Sequence, residues 1–126
     1  MAMAIQTAMI IDDDADLGQL LTSALENRKI HTLAVESLLE AQGFLGFMKP
    51  TFIFLDNSFP EGLGVNFIRQ IRSADEDIKI IMMTADPGQW IEDKAMEEGA
   101  SFFIRKPFSI SVIDSVLDKL NKQKAN

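Results

Sequence analysis

The sequence predicts an α/β fold in which helices cover both faces of a parallel five-stranded sheet. Strand-like and helix-like patterns alternate five times along the 126 residues, which is typical of parallel sheets with right-handed crossovers. Four short apolar runs also end abruptly in polar residues, as expected for strands that are buried on both faces. The length suits one domain, and 47% hydrophobic and 25% charged residues are typical of a globular protein.

The first third of the chain carries two strand patterns, each followed by a helix pattern. The apolar run 8–11 predicts strand β1, and helix α1 begins near Asp14 or Ala15. We interpret Asp14 as a helix N-cap rather than a metal ligand. Alternation over 30–35 predicts strand β2, and the capping box Ser37–Glu40 opens helix α2. Helical spacing gives α1 one apolar face, formed by Leu17, Leu20, Leu21, Ala24 and Leu25.

The apolar run 52–56 predicts strand β3, which is buried on both faces and ends in the carboxylate of Asp56. Because a charge cannot remain in an apolar core, Asp56 should emerge at the carboxyl end of this strand. The turn-rich loop 59–64 follows it. Helix α3 comes next, with its apolar face formed by Gly64, Phe67, Ile68 and Ile71.

Two further strand patterns complete the sheet. The run 80–83 predicts strand β4 and leads into Thr84, and the run 102–104 predicts strand β5 and leads towards Lys106. Between them lies helix α4, over roughly 90–98, which carries a thin apolar stripe. Ser109 then caps helix α5, with an apolar face at Ile113, Val116, Leu117 and Leu120. The polar tail 121–126 is expected to fray.

The carboxyl ends of parallel strands share one edge of a sheet, and ligands bind at that edge. We therefore expect Asp12, Asp13 and Asp56 to lie close together. Three adjacent carboxylates raise each other's pKa, and a hard divalent cation such as Mg²⁺ removes that cost. Lys106 adds a positive charge and Thr84 a hydroxyl donor. Together these groups suit the transfer of a phosphoryl group to a carboxylate.

The overall composition excludes several other classes. The net charge is −7, so direct binding to nucleic acid is not expected. There are no cysteines, which excludes disulfides, thiolate metal sites and thiol redox centres. No apolar run is long enough for a bilayer, and residues 1–7 carry no basic residue of a secretory signal. We expect a cytoplasmic protein that does not associate with membranes.

In order and spacing, the motifs resemble the receiver domain of two-component response regulators, the chemotaxis-regulator-like family. The matching stretches span nearly the whole chain: 10–14, 54–56, 59–60, Gly64, 83–85, 99–100 and 106–108. The resemblance implies a flavodoxin-like doubly wound sheet with strand order 2-1-3-4-5 in three α/β/α layers. It also implies a single domain over residues 1–126, with a core from 7 to 120.

The resemblance implies a role for each matching site residue. Asp56 is the phosphoacceptor and takes its phosphoryl group from the phosphohistidine of a sensor histidine kinase or phosphotransfer protein. Asp12, Asp13 and Asp56 hold Mg²⁺, and the backbone carbonyl of Ser58 is a further ligand. Lys106 pairs with a phosphoryl oxygen. Such a domain is a signalling switch, and it catalyses only its own phosphorylation and dephosphorylation.

The resemblance also implies how the signal leaves the site. Thr84 moves towards the phosphoryl group, the ring of Phe103 turns inward, and the α4–β5–α5 face changes its affinity for an effector domain or protein. A phosphorylation-dependent homodimer is compatible with this family. Phe103 lacks the hydroxyl of the more usual tyrosine, so it must act by packing alone. Arg105 is unusually bulky and charged beside Lys106, and the Lys106–Pro107 bond is usually cis in this family.

Three alternatives remain open from the residues alone. A Mg²⁺-dependent phosphohydrolase of the haloacid-dehalogenase group also forms an aspartyl phosphate, but Ser58 stands where that group usually has a second Asp. A flavodoxin-like nucleotide or flavin binder would share the sheet, yet no Gly-rich or Ser/Thr-rich phosphate loop follows β1. A metal-blind pseudo-receiver would serve only for docking, although all the principal positions are filled.

Overall fold

The computed structural model describes residues 5–125, and the side chains of residues 5–122, as a parallel five-stranded sheet with helices on both faces. The strand order is β2-β1-β3-β4-β5, which confirms the predicted 2-1-3-4-5 order. The strands are β1 (Thr7–Ile11), β2 (His31–Val35), β3 (Phe52–Asp56), β4 (Lys79–Thr84) and β5 (Phe102–Arg105). The helices are α1 (Ala15–Asn27), α2 (Leu38–Leu45), α3 (Ile68–Ala74), α4 (Gln89–Glu98) and α5 (Ile110–Ala125).

Two apolar clusters hold the three layers together. Successive side chains of a strand point to opposite faces, so Met9 and Ile53 pack against α2, α3 and α4, whereas Ile10 and Phe54 pack against α1 and α5. All five residues of β3 are buried. A strand that is covered on both faces reads as an unbroken apolar run, which explains why β3 was visible in the sequence.

The structure departs from the predicted apolar face of helix α1 at one residue. Leu20 was assigned to the buried face of α1, but it is 47% exposed. It precedes the buried Leu21, and consecutive residues are about 100° apart around a helix, which turns Leu20 away from the sheet. Helix α5 continues to Ala125, and the fraying of residues 121–126 stays a prediction. Asn121 is tied to the body of the protein because its Oδ1 accepts a 3.2 Å hydrogen bond from Gln6.

The predicted loop between β3 and α3 contains a small hairpin. Ser58–Phe59 pairs with Gly62–Leu63 in antiparallel fashion, and the 3₁₀ turn Gly64–Phe67 then leads into α3. Gly62 supplies the positive φ of 145° that the turn requires. The hairpin therefore fixes the path of the chain directly after Asp56.

Residues 1–4 and Asn126 lie outside the described part of the chain. Within residues 5–125, no helix has both the length and the apolar character needed to cross a membrane.

Candidate functional site

The register of the strands brings the polar residues to one edge of the sheet. Ile11 pairs with Leu55, so Asp12 follows β1 beside Asp56 at the end of β3. Asp56 pairs with Met83, which places Thr84 one residue further along the same edge. Thr84 in turn pairs with Arg105, and Lys106 comes next. Four strand ends therefore meet at one place, as the sequence predicted.

Asp12, Asp13 and Asp56 form an acidic cluster in which one carboxylate oxygen from each residue lies within 4.8 Å of the others. Asp12 and Asp56 are buried, whereas Asp13 is exposed. The donor set consists only of hard oxygen ligands, which fits a divalent cation. Asp14 takes no part in the cluster, because its side chain accepts hydrogen bonds from the amides of Asp16 and Leu17 at the N-terminus of α1.

Lys106 lies between two members of the acidic cluster. Its Nζ is 2.8 Å from Asp12 Oδ2 and 3.0 Å from Asp56 Oδ1. Burial lowers the pKa of Lys106, but the hydrogen bonds to Asp12 and Asp56 outweigh burial and raise the pKa overall. The amine therefore remains charged at neutral pH and supplies the positive charge that two buried carboxylates need.

Burial raises the pKa of Asp56 above its ordinary value, and the nearby negative charge of Asp12 adds to that effect. The hydrogen bond from Lys106 acts in the opposite direction but does not cancel the rise. The ionised carboxylate of Asp56 is thus held at a cost in free energy. A carboxylate with a shifted pKa that lies beside a lysine at the edge of a sheet is typical of a functional site.

Thr84 is buried, and its backbone carbonyl accepts a 2.8 Å hydrogen bond from the amide of Lys106. Its Oγ1 accepts a 3.0 Å hydrogen bond from the amide of Asp86. The hydroxyl hydrogen is not used in that bond and is available to a further acceptor.

Two predicted residues lie outside the acidic cluster. Ser58 is exposed at the start of the hairpin. Phe103 lies opposite Met82 and packs partly buried against the core that faces α4. The Lys106–Pro107 bond is cis.

Residues 8–118 match the model of the response regulator receiver domain family. The chain belongs to this family.

Relatives of the receiver domain agree with this assignment. The phosphate regulon transcriptional regulatory protein PhoB of Pseudomonas aeruginosa is 34% identical over 107 residues, which cover 82% of this chain and 46% of PhoB. The chain therefore spans about half the length of the curated relatives that it matches.

Solved structures show the same fold. A two-component response regulator from Clostridium difficile superposes on this chain with a TM-score of 0.91 at 23% identity. The match covers 96% of this chain and 99% of the C. difficile chain. The beryllofluoride-activated NtrC4 receiver domain dimer has a TM-score of 0.85 at 28% identity, with coverage of 90% and 93%. The fold of this chain is thus the fold of solved response regulators and their receiver domains.

One residue that no motif in the sequence indicated also shapes the site of this receiver domain. Asn57 is buried. Its side-chain Oδ1 accepts a 3.1 Å bond from the amide of Val65, and its carbonyl accepts a 2.8 Å bond from the amide of Gly64. These bonds fasten the segment after Asp56 to the start of the 3₁₀ turn. The signal in the sequence was an amide side chain directly after a buried strand, a position where it must find partners.

Proposed function

We propose that Asp56 is the residue that accepts the phosphoryl group. The main support is the position of the Asp56 carboxylate, which belongs to a cluster of three acids and lies 3.0 Å from Lys106 Nζ. The proposed metal is Mg²⁺, with Asp12, Asp13 and Asp56 as carboxylate ligands and the backbone carbonyl of Ser58 as a further ligand. When bound, Mg²⁺ supplies positive charge that offsets both the acids and the phosphoryl oxygens.

The proposed donor is the phosphohistidine of a sensor histidine kinase or phosphotransfer protein. An oxygen of Asp56 attacks the phosphorus, an O–P bond forms, and the P–N bond breaks with its electron pair returning to the histidine ring. Lys106 then pairs with a non-bridging oxygen, and the Thr84 hydroxyl donates to another. Lys106 is already within 3.0 Å of Asp56, where negative charge develops, and a charge held in place in this way accelerates phosphoryl transfer.

The output is proposed to follow from a shift of population. Thr84 and Phe103 move as the switch pair, and the α4–β5–α5 face changes its affinity for an effector domain or protein. Residues 7–120 form the proposed receiver unit, which acts on its own phosphoryl group and not on a separate substrate. The printed name of PhoB makes it a transcriptional regulator, and the NtrC4 domain is a dimer in its activated form. These support an effector that controls transcription and a phosphorylation-dependent homodimer.

The proposed function is tested by labelling the wild-type protein with acetyl phosphate. With Mg²⁺ present, we expect one phosphoryl group, which borohydride reduction converts to homoserine at position 56 and mass spectrometry locates. EDTA should prevent the labelling. Homoserine at another aspartate, or labelling that EDTA does not change, would contradict the assignment.

Replacing Lys106 with methionine is expected to lower the free energy of unfolding in EDTA by about 2 kcal/mol. This is below the usual cost of breaking a buried ion pair because Lys106 reaches solvent. Mg²⁺ should then stabilise the Lys106→Met protein more than the wild type, since no ammonium competes with the metal. Urea unfolding with and without Mg²⁺ measures both effects.

Lys79→Met is the matched control, because Lys79 begins β4 and so lies at the opposite edge of the sheet. The Lys79→Met protein should be stabilised by Mg²⁺ as much as the wild type is. If Mg²⁺ raised the free energy of unfolding equally in the wild type and in Lys106→Met, Lys106 would not face the metal site.

A further inference from the structure

Arg105, at the end of β5, contacts the loop before α4, the first turn of α4 and the ring of Phe103 in its own strand. Its guanidinium donates one hydrogen bond to the backbone carbonyl of Asp86 and another, of 3.3 Å, to Glu92 in the first turn of α4. The same group lies over the ring of Phe103, 4.9 Å from the centroid. We refer to Arg105 with these three partners, Asp86, Glu92 and Phe103, as the Arg105 link.

Asp86 connects the Arg105 link to the candidate site. Its amide donates to Thr84 Oγ1 over 3.0 Å, while its carbonyl accepts from Arg105. Its side chain accepts a 2.7 Å bond from the amide of Gly88. A single loop residue is therefore bonded to the Thr84 hydroxyl on one side and to Arg105 on the other.

We propose that Arg105 is a positioning residue that holds the loop 84–88 and the Phe103 ring in the unphosphorylated arrangement. The proposal rests on the proposed role of Asp56. When the Thr84 hydroxyl turns towards a phosphoryl group on Asp56, the Asp86 amide loses its acceptor and the loop has to move. The bond from Arg105 to the Asp86 carbonyl opposes that movement, and the guanidinium keeps the Phe103 ring in place.

The geometry requires arginine rather than any cation. A guanidinium is planar, so it stacks on a ring while its edge donates to a carbonyl and a carboxylate. A lysine at position 105 would keep the charge but would not engage all three partners together. Arg105→Ala should therefore lose all three contacts of the link, whereas Arg105→Lys should lose only some of them.

The ion pair within the Arg105 link is partly exposed to solvent. The Arg105 side chain is 36% exposed and that of Glu92 40%, so water competes for their ion pair. The expected result of Arg105→Ala is a rise of about three- to tenfold in the rate of labelling by acetyl phosphate, because the rearranged population grows. Arg105→Lys should give a smaller rise.

A second measurement uses the unphosphorylated protein, so that it does not depend on the function of Asp56. We expect Arg105→Ala to accelerate hydrogen exchange at the amides of Asp86 and Gly88, with little change in the core strands. Trp90, the only tryptophan, lies against Gly88, since a Cβ on Gly88 would come within 3.0 Å of the indole Cδ1. The Trp90 emission of unphosphorylated Arg105→Ala should differ from that of the unphosphorylated wild type, because the loop that Trp90 contacts is held less firmly.

Arg69→Ala is the control, because Arg69 also forms an ion pair with α4, at Glu98 over 2.7 Å, yet is not part of the Arg105 link. It should change neither the labelling rate nor exchange at Asp86. Unchanged exchange at Asp86 in Arg105→Ala, or labelling slower than in the wild type, would overturn the proposal. Wild-type labelling at a residue other than Asp56 would instead overturn the proposed function, and the exchange result would stand separately.

Discussion

Replacing Asp56 with asparagine is expected to abolish phosphoryl labelling without weakening the fold. An amide oxygen is a poor nucleophile, so the rate of labelling by acetyl phosphate should fall by at least about a hundredfold. Asp14→Asn is the matched control, because asparagine is an equally good N-cap and Asp14 lies outside the acidic cluster. That protein should be labelled like the wild type. Persistent labelling of Asp56→Asn would show that another residue accepts the group.

The stability of Asp56→Asn should depend on pH in a defined direction. Burial raises the pKa of Asp56, so the folded protein binds this proton more tightly than the unfolded chain does. The ionised carboxylate therefore destabilises the wild type at neutral pH, and the neutral amide removes that cost. As the pH falls through the raised pKa, the wild type takes up the proton and the advantage of the variant disappears. Urea unfolding in EDTA over a pH series measures this, and an advantage that grows at low pH would contradict it.

Gly64→Ala is expected to be the most destabilising single methyl addition in the loop after β3. An added Cβ would lie 1.9 Å from the backbone oxygen of Asp56 and 3.2 Å from the Cα of Asn57. Because the clash is with backbone, no side-chain rotation relieves it, and the loop has to move. We expect the free energy of unfolding to fall by about 3 kcal/mol, at the upper end for overpacking. Labelling of Asp56 should slow as well, because its carbonyl is displaced.

Gly43→Ala serves as the comparison, since a Cβ at Gly43 would meet no atom within 4 Å. This glycine lies within α2, where alanine is the better helix former. The variant should be more stable than the wild type by about 0.5–1 kcal/mol. Equal stability of Gly64→Ala and the wild type in urea would show that the approach of Gly64 to Asp56 is not a tight one.

Much of the fold and the acidic site was visible in the sequence because the strands are buried on both faces. Strand β3 has the predicted bounds, Phe52–Asp56, since its apolar run ends where the core ends. Parallel pairing then places Asp12 and Asp56 side by side without any choice of loop conformation. Sheet order and the meeting of polar residues at one edge therefore follow from pattern and topology.

Other features depend on contacts that no local pattern encodes. Periodicity predicted the apolar face of α1 but not its width, so the prediction that Leu20 lies on the buried face was wrong. The Asn57 amide and the Arg105 guanidinium are bonded to residues 8 and 19 positions away. Such partners are set by how the chain returns to the sheet. A close approach such as that of Gly64 to Asp56 is likewise a property of two backbones and not of one segment.

The ion pair between Lys106 and Asp12 joins residues 94 positions apart, and this distance bears on how the domain is completed during synthesis. A nascent chain that has not yet reached residue 102 lacks β5, α5 and Lys106, so it would bring two carboxylates to the edge of an incomplete sheet with no counter-charge. Most of the domain would then be translated before Lys106 could pair with the acids at this edge. We expect the last strand and helix to form together with the rest in one cooperative transition, so a fragment ending before Phe102 would not fold by itself.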